Sequence, residues 1–103
     1  MKKVTTINPA TEEEIASYDR LSASNALEKI AKANETYKSW KNTSFEERSN
    51  LMSKLADIFD DNKEEYAQLA TQEMGKMIGQ SRSEIEKCAK ICRYYADNIN
   101  ELL

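Results

Sequence analysis

Pro9, Gly75 and Gly79 are the only proline and glycines in a chain of 103 residues. These residue types interrupt helices and strands most strongly, so a chain this poor in them runs mainly in long elements. Both glycines fall in one short stretch, which reads as helix, stop, restart. Leu69, Ala70, Glu73 and Met74 keep helical spacing. Gly75 can then adopt the left-handed backbone that ends a helix without a Cβ penalty. Lys76 follows, where a cation favours the negative end of the helix dipole. Beyond the break Ile78, Ile85, Cys88, Ala89, Cys92, Tyr95, Ala96 and Ile99 recur every three or four residues. That spacing predicts a second helix from Ile78 past Asn98.

The rest of the chain can be read by the same signals. Val4–Ile7 and Ile15–Tyr18 are β-prone runs separated by Asn8-Pro9-Ala10-Thr11 and Glu12-Glu13-Glu14. Asn caps backbone groups and Pro presets φ, so a turn joins the two runs. Such a ribbon is marginal in water and needs a surface to lie on. Ser22 is an N-cap candidate, with Asn25 as its reciprocal partner. After it Ala26, Ile30, Ala33, Tyr37 and Trp40 form one helical face with Leu27 beside them, and Trp40 is expected as a large core anchor. Glu28 and Lys32 are spaced for an outer ion pair. Ser44 and Glu47 form a capping box, and Leu51, Met52, Leu55, Ile58 and Phe59 mark the apolar face that follows. Asp60-Asp61-Asn62 predicts a break, with Asn62 and Glu65 capping a further helix to Met74. The fold class is therefore mainly α: a β-ribbon in residues 1–21, then four amphipathic helices in residues 22–103.

A chain of this length buries one modest core. Its 40% hydrophobic and 32% charged residues suit a globular, helix-rich segment. The net charge of −3 leaves no footprint for nucleic acid. Lys2 and Lys3 are too few for a polybasic membrane anchor, and no apolar run is long enough to span a bilayer. The start lacks the apolar core of a signal peptide, so a cytoplasmic location is expected. Cys88 and Cys92 lie one helical turn apart, where a disulfide is hard to close, and both are read as reduced.

Residues that carry chemistry are scarce. There is no histidine, so no Ser-His-Asp or Cys-His nucleophile can be assembled within the chain. Cys88 and Cys92 would need two further ligands to hold zinc, lack Cys-x-x-Cys spacing, and share a helical phase with Ile85 and Tyr95; core packing is the better reading. Gly75-Lys76 is no phosphate loop, because position 70 is Ala, Met77 follows the lysine and no strand precedes it. Nor do two glycines make a dinucleotide fingerprint. Glu12-Glu13-Glu14 and Asp60-Asp61 fall in a predicted turn and a helix break, and are read as solvated surface. Tyr37, Trp40, Tyr94 and Tyr95 lack interleaved basic residues and are core candidates.

Several of these segments carry a resemblance. Glu73-Met74-Gly75-Lys76, Glu84-Ile85-Glu86-Lys87-Cys88 and Arg93-Tyr94-Tyr95-Ala96 resemble the N-terminal region of NAD(P)-dependent aldehyde dehydrogenases, nearest to the bacterial succinate-semialdehyde dehydrogenase type. Trp40 and Glu47-Arg48 match family positions, the pair in a structural role. Ile7-Asn8-Pro9-Ala10-Thr11 resembles the family's opening motif, although Glu12 stands where the family usually has glycine. The resemblance covers nearly the whole chain but only about the first quarter of such an enzyme. It implies a partial piece of the α/β aldehyde dehydrogenase fold, with the helices packing on a dinucleotide-binding domain.

In that family a cysteine attacks the aldehyde, hydride passes from the thiohemiacetal to NAD or NADP, and a glutamate activates water to release the acid. The resemblance places all of these residues outside this stretch. Within it, no catalytic, cofactor-binding or metal residue is expected, and the 103-residue chain alone is expected to be inactive. By position, Lys87 and Ile91 would face the substrate funnel of the full enzyme. Ile99, Leu102 and Leu103 continue an apolar face with no stop signal, so the chain is expected to be part of something longer. The alternative reading is a non-catalytic helical interaction module. Uncovered apolar faces call for a partner: the remainder of the enzyme, or a second copy in a homo-oligomer, with neither nucleic acid nor membrane involved.

Overall fold

The computed structural model describes residues 2–103. Two strands, β1 (Lys3–Ile7) and β2 (Glu14–Asp19), precede four helices, α1 (Ala23–Trp40), α2 (Phe45–Asp61), α3 (Lys63–Met74) and α4 (Ile78–Leu102). The strands pair antiparallel, with Val4 opposite Tyr18 and Thr6 opposite Ala16, and the register slips after Thr6. The connecting turn is closed from within: Asn8 Oδ1 accepts from the Ala10 N–H at 2.9 Å, and the Glu12 N–H donates to the Asn8 carbonyl at 2.8 Å. Glu12 sits at φ 63°, left-handed and unfavourable for a residue with a Cβ. This is the place where the resembled family carries glycine, and the backbone supplies the reason.

The helices start where the caps predict. Ser22 Oγ accepts from the Asn25 N–H at 3.1 Å, and Ser44 Oγ from the Glu47 N–H at 3.1 Å. Gly75 closes α3 at φ 71°, its N–H donating to the Thr71 carbonyl at 2.9 Å. The break at Asn62 is present, but its cap runs the other way. Instead of starting α3, the Asn62 amide donates back to the Ile58 carbonyl at 2.9 Å, satisfying the end of α2. Facing that exposed carbonyl, the amide finds an acceptor one turn back that α3 does not offer.

The core lies where α2 and α3 cross α4, and it is built from small residues. Ala56, Ala67, Ala89, Cys92 and Ala96 are buried, with Met52 and Phe59 packed at the side. Small side chains let helix axes approach closely. The consequence for α2 differs from the expected single apolar face. Met52, Ala56 and Phe59 turn inward, whereas Leu51, Leu55 and Ile58 form a second stripe on the outer side. Polar contacts lock the crossings. Ser49 Oγ donates to the Ala96 carbonyl at 2.6 Å, and Thr71 and Ser81 share a hydroxyl bond of 2.8 Å around the fully buried Ser81.

Helix α1 departs most from expectation. It contains no buried residue, and Trp40, the expected core anchor, is 44% exposed, with Tyr37 at 58%. The outer ion pair is Glu35–Lys38 at 2.8 Å; the expected Glu28–Lys32 pair is not formed among the described residues. What holds α1 is its corner with α2. Arg48 lies over the Trp40 ring at 5.3 Å, donates to the Trp40 carbonyl at 3.0 Å, and donates through Nε to Thr43 Oγ1 at 2.7 Å. The structural role expected for Glu47-Arg48 thus resides in the arginine.

Candidate functional site

The principal candidate surface is the outer side of α4. The inward phase of this helix is occupied by Ser81, Ala89, Cys92 and Ala96, so residues half a turn away must face solvent. Lys87, Lys90, Ile91 and Tyr94 line a depression there of about 620 Å3. The structure therefore brings Lys87 and Ile91 together, one turn apart. Lys90 and Tyr94, the latter expected in the core, join them on the strip, and their spacing from Lys87 and Ile91 carries the signal. All of the lining comes from α4, so the feature is an open strip with one wall. Tyr94 and Tyr95, read as core candidates, are 55% and 51% exposed and stack edge to face at 5.4 Å.

Ion pairs hold the helix that carries this strip. Arg93 joins α4 to α2 through Asp60 at 2.6 Å and Asp57 at 3.0 Å, and these bonds, Asp60's first, raise the arginine above its ordinary value. Asp60 is thus an ion-pair partner and not free surface. On the other flank Arg82 binds both Glu64 oxygens, at 2.7 and 2.9 Å. The bond from Arg82 holds Glu64 below the usual carboxylate range, and the bond from Glu64 raises Arg82. Lys63–Glu86 at 2.9 Å and Lys76–Glu84 at 2.6 Å extend the α3–α4 seam. Lys76 therefore reaches across the helix break to a carboxylate, a more specific role than the dipole reading gave it.

Nothing on the strip resembles a nucleophile with its base. Cys92 is buried against Ala56 and Ala89 and Cys88 is half-buried, both free. Among the described residues no group of three His, Cys, Asp or Glu is placed to hold a metal ion, and no helix is long and apolar enough to cross a membrane. The Cβ direction of Gly75 is filled by Pro9 at 3.1 Å, and Gly79 opens onto empty space inside α4. Neither glycine shapes a cradle after a strand.

The sequence pattern of the Aldehyde dehydrogenase family matches residues 1–103, the whole chain. The chain belongs to the aldehyde dehydrogenase family. A Synechocystis protein named as a probable NADP-type succinate-semialdehyde dehydrogenase is 39% identical over 100 residues, covering 97% of this chain and 22% of that relative. A Mycobacterium tuberculosis succinate-semialdehyde dehydrogenase of the NADP type is 34% identical, with the same coverage. Among solved structures, the succinic semialdehyde dehydrogenase of Streptococcus pyogenes in complex with NADP+ superposes with a TM-score of 0.89 at 31% identity, over 96% of this chain and 22% of that one. An NAD-dependent aldehyde dehydrogenase from Sinorhizobium meliloti gives 0.88 at 31% identity, over 94% and 20%. The ribbon and four helices are thus the N-terminal part of the aldehyde dehydrogenase fold. The chain spans about a fifth of the length of the relatives it matches.

Proposed function

We propose that this chain serves as the N-terminal part of a cytoplasmic, NADP- or NAD-dependent aldehyde dehydrogenase that oxidises succinate semialdehyde or a similar small aldehyde to its carboxylic acid. The observation that carries this reading is the joint match of sequence and shape to succinate-semialdehyde dehydrogenases across nearly every residue. The segment's part in that work is architectural. Arg93, Arg82, Lys63 and Lys76 clamp α4 against α2 and α3, which fixes the outer strip of α4 as a rigid wall. On this reading Lys87 and Ile91 form part of the substrate funnel, an ammonium and an apolar contact one turn apart. The ribbon and the face of α1 lie on the dinucleotide-binding remainder.

Two measurements test the proposal. Replacing the matching segment of the Synechocystis relative with this chain is expected to give an enzyme that still reduces NADP+ with succinate semialdehyde; a folded chimera without activity refutes it. The 103-residue chain by itself is expected to show no saturable NADP+ or NAD+ binding by calorimetry. Stoichiometric binding there would mean that the segment carries cofactor contacts of its own.

A further inference from the structure

Resting on the dehydrogenase reading above, we propose that Lys87 and Lys90 set the charge preference of the funnel. They meet the far carboxylate of a short acidic aldehyde, and Ile91 and Tyr94 lie along its carbon chain. Helix α4 carries four cations, Arg82, Lys87, Lys90 and Arg93. Two of them turn toward the neighbouring helices: Arg82 is bound by Glu64 of α3, and Arg93 by Asp57 and Asp60 of α2. Lys87 and Lys90 are exposed and form no ion pair among the described residues. Both line the depression of about 620 Å3 instead.

A lone surface lysine is satisfied by water and selects nothing. This pair differs in its surroundings. The one carboxylate that lines the depression, Glu86, is already bonded to Lys63 at 2.9 Å. Glu84, three residues before Lys87, is taken by Lys76 at 2.6 Å. Asp97 shares the phase of Lys90 but lies about 10 Å farther along the helix axis, past the depression. The strip therefore presents two ammonium groups whose nearby countercharges are committed to the α3–α4 seam. Ile91 and Tyr94 are exposed beside them. An anion with a short apolar body matches both properties at once. Its attraction to the ammonium groups strengthens where the rest of the funnel excludes water. The relatives that this chain matches are named for succinate semialdehyde, an aldehyde with a carboxylate at its opposite end. Lys87 and Lys90 thus determine specificity and take no part in the chemistry at the aldehyde carbon.

The test uses the Synechocystis relative carrying this segment, with kcat/KM measured for succinate semialdehyde and for butanal, its uncharged analogue of equal length. Lys87→Gln with Lys90→Gln is expected to lower the ratio of the two values about tenfold. The loss should fall mainly on KM for the acidic aldehyde, because its far end is held alike in the ground and transition states. Lys87→Arg with Lys90→Arg should restore most of the ratio, and added salt should lower it in the parent more than in the glutamine variant. Lys54→Gln, at an exposed lysine of α2 outside the strip, is the control and should leave the ratio unmoved. A parent chimera inactive with every aldehyde refutes the dehydrogenase reading, and this inference with it. An active parent in which the double glutamine variant leaves the ratio unchanged, or loses both substrates equally, overturns this inference alone.

Discussion

Gly75→Ala tests how the ribbon and the helical layer are joined. Gly75 ends α3 at φ 71° and ψ 17°, a conformation that costs an L-residue about 1–2 kcal/mol. A Cβ added there would also stand 3.1 Å from Pro9 Cγ and 3.9 Å from Pro9 Cβ. The first distance is short enough that the ribbon turn must shift, which adds about 1 kcal/mol of overpacking. The total, about 2–3 kcal/mol, should lower Tm by about 10 °C or more in a domain this small. Gly79→Ala is the control. Gly79 is helical, and nothing lies within 4 Å of its Cβ position. Alanine there should therefore stabilise by about 0.5 kcal/mol. Thermal and urea unfolding followed by circular dichroism would measure both, and adding Pro9→Ala in a double-mutant cycle would isolate the steric part. Opposite signs at the two glycines are required. A neutral Gly75→Ala, or the same sign at both positions, refutes the reasoning.

Two further outcomes follow from the same geometry. Glu12→Gly removes a left-handed residue with a Cβ and should stabilise by about 1 kcal/mol, as glycine's relief of strain exceeds its entropy cost; urea midpoints at constant m would measure it, and destabilisation would contradict the assigned turn. Glu64, held below the usual range by Arg82, adds stability that is fully present above its unfolded value and is lost as pH falls through its lowered folded value. Glu64→Gln should thus be less stable than the parent at pH 7, with the deficit closing as pH drops below the ordinary glutamate range; a deficit that persists unchanged at pH 3 would show that the ion pair is not its source.

How much of this molecule could be read in advance depends on the range of the forces involved. Ser22, Ser44 and Gly75 act on backbone groups within a few residues, so their sequence signals locate the helix ends observed. The break at Asn62 is equally local, yet the direction in which its side chain bonds is not, because two helix ends compete for one amide. The lysine and isoleucine of the α4 strip share a face by periodicity alone. The polar seam that holds this helix, from Lys63–Glu86 to Arg93–Asp60, joins residues 23 and 33 apart along the chain, and no spacing rule pairs them.

The sequence by itself determined the order of ribbon and helices, the places where they start and stop, and the family. The first two depend on φ preferences, capping and periodicity, which each residue carries with it; the family rests on the likeness of motifs such as Glu73-Met74-Gly75-Lys76 to those of aldehyde dehydrogenases. The tertiary structure alone decided which apolar face of α2 turns inward, because both of its stripes repeat at helical spacing and only the approach of α4 over Ala56 distinguishes them. It also decided that Trp40 stays at the surface. A large aromatic on an apolar face signals that burial is favourable, but burial requires a second surface, and the Arg48 corner holds α1 away from the one nearby.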